Sequence, residues 1–91
     1  MRIDIAHDRA AHCFTARVDG ADCVLDYTLA GQVMTITHTG VPRVVGGRGI
    51  AGALVHTALD AARELGWQVV PACTYAAAWM QRHPEYDRLR A

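Results

Sequence analysis

Three glycines in "VVGGRGIAGALV" (44–55), Gly47, Gly49 and Gly52, stand at the spacing G-x-G-x-x-G. A glycine loop that opens a helix presents backbone N–H groups without partners at the positive end of the helix dipole, and an anionic oxygen can approach them closely. Gly47, Arg48, Gly49, Ile50, Ala51 and Gly52 would line such a cradle, with Arg43 and Arg48 as nearby guanidinium donors. The same spacing also suits a plain strand-to-helix turn, and spacing alone leaves both readings open.

A second chemical feature is Cys73, placed by the pattern at the end of an apolar strand and just before a helix start, where the dipole favours thiolate. It reads as a nucleophile or as a small buried hydrophobe. Among the histidines, His38 and His83 are the candidates for a base. His38 continues the strand face of Met34 and Ile36, so it is expected to point into the fold or onto a cleft floor. His83 before Pro84 could equally cap the preceding helix. Tyr75 and Tyr86 could give a proton to a leaving group or simply pack. Trp79 and Met80 read as core, and Asp60 and Glu64 as the solvated face of a helix.

The elements that must position these groups follow from periodicity. Up to Thr39 the period is two, through Ile3 and Ile5, Phe14 to Val18, Cys23 to Leu29, and Met34 and Ile36, which predicts four strands. Asp19-Gly20 and Gly31-Gln32 between them suit antiparallel hairpins, whereas Asp8 to Ala11 has no strong turn residue. After Pro42 the apolar positions Ile50, Leu54, Ala58 and Leu65 recur at helical spacing, predicting a helix of about four turns closed by Gly66. Trp67 to Ala72 is then a short buried strand. Thr74 is expected to cap a second helix that ends before Pro84, with a last turn over Glu85 to Leu89. The fold class is α/β (α+β): a mixed sheet, antiparallel at first, then a strand-loop-helix-strand crossover and a C-terminal helix.

Ninety-one residues predict one domain spanning 1–91, too short for a two-half dinucleotide fold. A dinucleotide loop also needs an acidic residue at the end of the next strand, and that place holds Pro71-Ala72-Cys73, so a nicotinamide or flavin dinucleotide is rejected. No Lys-Ser or Lys-Thr pair follows the glycines, which rejects a P-loop. Nine arginines and no lysine balance nine acidic residues, so nothing in the overall charge draws the chain to nucleic acid or to an acidic membrane. No apolar run has the length of a membrane span or the character of a signal peptide, and Cys13, Cys23 and Cys73 lack metal-ligand spacing. The expectation is a cytoplasmic protein with reduced cysteines and no metal.

The chain resembles the GNAT acetyltransferase superfamily, and within it the very small single-domain Yjdj-type branch. The resemblance rests on "ITHTGVP" (36–42), "GGRGIAGALV" (46–55) and "VVPACTYAAAWMQRHPEY" (69–86). It implies a loop between the fourth strand and a long helix that grips the pyrophosphate of coenzyme A. It also implies a cysteine, Cys73, beside the acetyl group, and transfer to a small-molecule or peptide amine. Two positions depart from the pattern. Gly46 stands where the superfamily commonly has Gln or Arg, and Gly40 replaces the glutamate of the branch's His-Thr-Glu-Val.

Three functions follow for comparison. The first is an acetyl-CoA-dependent N-acetyltransferase, monomeric or homodimeric, with Cys73, His38 and Tyr75 at its reaction centre. The second is a catalytically weak or inactive acyl-CoA-binding module acting as sensor or partner subunit, and the third a small interaction domain whose loop binds nothing. Stabilisation by coenzyme A separates the first two from the third.

Overall fold

The computed structural model describes residues 3–91. Strands β1 (Ile5–Asp8), β2 (Cys13–Val18), β3 (Ala21–Ala30) and β4 (Val33–Gly40) pair in sequence as antiparallel neighbours. Helix α1 (Ile50–Leu65) then crosses over to β5 (Gln68–Pro71), which lies parallel to β4 and gives the order β1-β2-β3-β4-β5. Helix α2 (Thr74–Arg82) and a 3-10 segment (Pro84–Leu89) follow.

Alternation decides which face of the sheet is covered. Phe14, Ala16 and Val18, Cys23, Leu25 and Tyr27, Met34 and Ile36, and Val69 are buried on one face. Against them lie Ile50, Leu54, Val55, Ala58, Leu59 and Ala62 of α1 and Ala76, Trp79 and Met80 of α2. Alanines at 58 and 62 leave no bulk between helix and sheet, so the α1 backbone lies close to the strands.

Turn chemistry fixes the register. Asp19 and Gly20 both take positive φ (49° and 80°), the geometry that matches a two-residue hairpin to strand twist. The β1–β2 link, which offers no strong turn residue, closes instead through the Asp8 carboxylate, which accepts the Ala11 amide at 3.0 Å, and through His12 at φ 55°. At the far end of α1, Gly66 (φ 74°) donates to Arg63 and Trp67 to Ala62, a Schellman ending. Trp67 therefore still belongs to the helix ending, which is why β5 starts at Gln68 and runs shorter than its apolar stretch.

Candidate functional site

Because β4 and β5 are parallel, the helices that follow them start at the same end of the sheet. In open α/β sheets, ligands bind beyond the carboxyl ends of the strands. The two strands pair only from Val33–Gln68 to Ile36–Pro71, and at this end one further bond runs from the Cys73 amide to the Ile36 carbonyl at 2.9 Å. Beyond that point β4 runs on to Gly40 while the segment after β5 turns into α2, so the ladder ends and the two backbones part, with Thr39 Oγ1 and the Cys73 sulfur facing each other across the opening.

Both helix starts at this opening are bare. The α1 N-cap is Gly49 at φ 76°, with no side-chain cap and no acidic residue in the first turn. The first intrahelical bond is from the Ala53 amide to the Gly49 carbonyl, so the amides of Ile50, Ala51 and Gly52 precede it. Gly47 (φ 79°) and Gly49 use the left-handed region that favours glycine. Gly46 does not: its backbone is extended (φ −64°, ψ 158°), and an added Cβ would stand 3.3 Å from the Arg43 carbonyl oxygen. The glycine at this position reflects a missing side chain rather than a required conformation.

The two arginines are placed differently. Arg43 is exposed in a 3-10 turn (Arg43–Val45) ahead of the loop. The Arg48 guanidinium is paired with the Asp19 carboxylate at the tip of the β2–β3 hairpin, which ties the glycine loop to that turn and occupies the charge expected to face an anion.

Cys73, not Thr74, is the N-cap of α2. Its backbone is extended (ψ 133°) and its carbonyl takes the first helical bond from Ala77 at 3.0 Å, so Thr74 is already helical and its hydroxyl does not cap. The Cys73 sulfur is turned toward the first amides of α2 without reaching the geometry of a full capping bond, and lies 3.7 Å from Thr39 Oγ1. Burial alone would raise this thiol. The Ala76 amide, the Thr39 hydroxyl and the amides of Tyr75 and Thr39 outweigh it, and the thiol is held below the ordinary cysteine value. The other half-buried thiol, Cys13, is pushed the opposite way by burial and by the Asp8 and Asp26 carboxylates.

Thr39 reaches Cys73 because of a bulge. Asp26 pairs with His38 but Tyr27 pairs with Ile36, leaving Thr37 as an extra residue in β4 whose hydroxyl donates to the Asp26 carbonyl at 3.3 Å. One extra residue inverts the alternation. Thr39 therefore shares the inward face of its partner Leu25, and His38 is turned to the opposite, exposed face. The expectation that His38 continues the face of Met34 and Ile36 is thus corrected. A Cβ on Gly40 would lie 3.0 Å from His38 Nε2, so the imidazole leans into the space that a side chain at 40 would fill.

On the helical side, Tyr75 is half-buried and its hydroxyl would be 3.3 Å from a Cβ on Gly52, at the first turn of α1. Tyr86 instead donates to Asp60 at 2.8 Å, and burial followed by that carboxylate raises its phenol. Asp60 also receives His56 and Arg63, so it is a hub for α1 and the C-terminal segment rather than a free solvated carboxylate. His83 Nδ1 donates to the Trp79 carbonyl at 2.7 Å, which caps α2 as one reading of the sequence expected. The structure thus brings Cys73, Thr39 and the two helix starts to one opening, and sets His38 on the other face of β4.

Comparison with known proteins settles the family. The model of the GCN5-related N-acetyl-transferase family matches residues 13–89. This chain belongs to the GCN5-related N-acetyltransferase family. It is 34% identical over 85 residues to Protein NATD1 of Gallus gallus, which covers 90% of this chain and 77% of that one. Protein NATD1 of Homo sapiens is also 34% identical over 85 residues, covering 90% and 75%. In fold it is similar to the solution structure of a GCN5-like putative N-acetyltransferase from Staphylococcus aureus, with a TM-score of 0.73 at 22% identity, covering 97% of this chain and 87% of that one. A ribosomal-protein-alanine N-acetyltransferase from Brucella melitensis biovar Abortus 2308 aligns at a TM-score of 0.51 and 25% identity, over 92% and 66% of the two chains. The expected mixed sheet and superfamily hold.

Two residues at the GNAT opening escaped the sequence reading, Thr39 and Trp79. Strand alternation places Thr39 outward, and only the bulge brings it in. Trp79 reads as core and is indeed buried, but its indole nitrogen lies at the first turn of α1. Among the described residues no group of three or more His, Cys, Asp or Glu side chains is arranged to hold a metal ion, and no helix is long and apolar enough to cross a membrane.

Proposed function

We propose that this GNAT chain is an acetyl-CoA-dependent N-acetyltransferase whose reaction centre is the opening between β4 and β5. The observation that carries the reading is that two uncapped helix starts, one bearing the glycine loop and the other a thiol held toward thiolate, flank that single opening. The amides from Gly49 to Gly52 would take the pyrophosphate of coenzyme A, with Arg43 supplying charge. The thioester would then lie along the edge of β4 at this opening, within reach of Cys73.

In the covalent route, the Cys73 thiolate bonds to the acetyl carbonyl carbon, the bond from that carbon to the coenzyme A sulfur breaks, and coenzyme A leaves as thiolate. The Tyr75 hydroxyl lies at the first turn of α1, toward the phosphate end of the ligand, and takes no part in that step. The amine next bonds to the carbonyl carbon, Cys73 departs as thiolate, and the amine proton passes to His38 Nε2 on the exposed face. In direct transfer the amine attacks the bound thioester itself and Cys73 with Thr39 positions it.

A binding module that no longer transfers acetyl is the second reading, favoured by the Arg48–Asp19 pair, which draws charge from the loop. Coenzyme A at about 100 times its Kd should add about 2.7 kcal/mol of stability on either reading. Intact mass after incubation with acetyl-CoA divides them: one acetyl gained by the wild type and absent in Cys73→Ala supports the covalent route, and product formed from an amine panel without label supports direct transfer. No thermal shift with coenzyme A would refute both readings.

A further inference from the structure

Trp79 is only 7% exposed, yet its one polar atom, Nε1, has no hydrogen-bond partner among the described residues. Buried indoles ordinarily spend that N–H on a partner. No side-chain nitrogen or oxygen of the described residues is both fully shielded and unpartnered, so the N–H must reach an open edge of the packing. That edge is the first turn of α1: a Cβ on Gly52 would stand 3.4 Å from Trp79 Nε1 and 3.3 Å from the Tyr75 hydroxyl.

The direction matters as much as the distance. In a helix the Cα–Cβ bond tilts toward the N-terminus, so the vacant position at Gly52 faces back toward the bare amides of α1. Tyr75 and Trp79, four residues apart on α2, present their two polar groups there together. The indole is also held in place. The His83 ring stacks on it at 3.6 Å with 9° between planes, and His83 Nδ1 is bonded to the Trp79 carbonyl. Tyr86 packs at 5.5 Å between ring centres.

We propose that the Trp79 indole N–H completes the anion cradle of α1, donating to a phosphoryl oxygen of the ligand held by the Gly49–Gly52 amides. This rests on the coenzyme A reading above and adds to it a side-chain donor from α2. It also gives Gly52 a role of its own, which is to leave room for that donor.

The test uses the ¹⁵N-labelled full chain, whose two indole N–H signals belong to Trp67 and Trp79 and are told apart with Trp67→Phe. Titration with coenzyme A should move the Trp79 signal downfield and leave that of Trp67 in place. Pantetheine, which has no phosphate, should not reproduce the shift. Trp79→Phe keeps a ring for His83 to stack on and removes the N–H, so its affinity for coenzyme A should fall ~10-fold while that for pantetheine stays the same. Coenzyme A binding with the Trp79 signal unmoved overturns the proposal, as does a shift reproduced by pantetheine or an unchanged affinity in a folded Trp79→Phe. The wild-type titration stands if that variant does not fold. Failure of the wild type to bind coenzyme A at all would refute the proposed function and this donor with it, whereas binding without Trp79 refutes the donor alone.

Discussion

Replacing the motif glycines one at a time with alanine should separate three residues that share one sequence pattern. At Gly49 the backbone is left-handed (φ 76°) and an added Cβ meets nothing within 4 Å, so the whole cost is conformational. An L-residue in that region costs about 1–2 kcal/mol. For a domain of this size each kcal/mol lowers Tm by roughly 4–8 °C. Gly47 at φ 79° has equally open surroundings and should behave the same way. Gly52 is helical, where alanine gains about 0.5–1 kcal/mol over glycine, but its Cβ must push back Tyr75 Oη and Trp79 Nε1 by a few tenths of an ångström. The two effects oppose, and Gly52→Ala should stay within about 0.5 kcal/mol of wild type. Guanidinium unfolding of the three variants measures this directly. The coenzyme A thermal shift should be smaller in Gly52→Ala despite its preserved stability, because the methyl intrudes on the donor pair. A Gly52→Ala loss as large as that of Gly49→Ala, or a neutral Gly49→Ala, would refute the division of labour.

The three thiols should react in a fixed order. Iodoacetamide near neutral pH, followed by peptide mass spectrometry, should label Cys73 first because its thiol is held low, Cys13 later because burial and two carboxylates raise it, and the 1%-exposed Cys23 last. Since Cys73 is poised toward thiolate, its labelling should persist to lower pH than that of Cys13, and Thr39→Val should move its profile upward. Asp19→Asn should cost under about 1 kcal/mol of stability, as exposed ion pairs do. By releasing Arg48 it should tighten coenzyme A binding in calorimetry at low ionic strength, with the gain lost in high salt. Leu54→Ala, at a fully buried position on α1, should cost about 2–5 kcal/mol in a denaturant melt.

What could be read from the chain was local and periodic. The alternation from Phe14 to Ile36 located the strands, and the stripe from Ile50 to Ala62 located α1, because each pattern reports burial on one face of a single element. Asp19-Gly20 and Gly66 announced their turns through the positive φ that glycine permits. The β1–β2 link was illegible because its geometry depends on an Asp8 side-chain bond and a left-handed histidine. The face of His38 was misread for a sharper reason: a bulge at Thr37 changes no residue's periodicity but inverts the direction of all that follow. Trp79 could be read as apolar, whereas the loose end of its indole depends on what a different helix lacks at Gly52.

On the proposed function, the bulge also explains how so small a fold could face two substrates at once. Without Thr37 as an extra residue, His38 would share the inward face of Ile36 and crowd the side of the sheet on which α2 and Cys73 lie. With it, Thr39 turns inward to the thiol and His38 turns outward, where Gly40 leaves its Nε2 a place to rest. On the proposed mechanism the thioester arrives from the helical side and the amine from the bare side, so base and nucleophile never compete for the same volume. A larger residue at 40 would have to displace the imidazole. The glycine that costs this chain a carboxylate is therefore also what lets a histidine occupy the same ground.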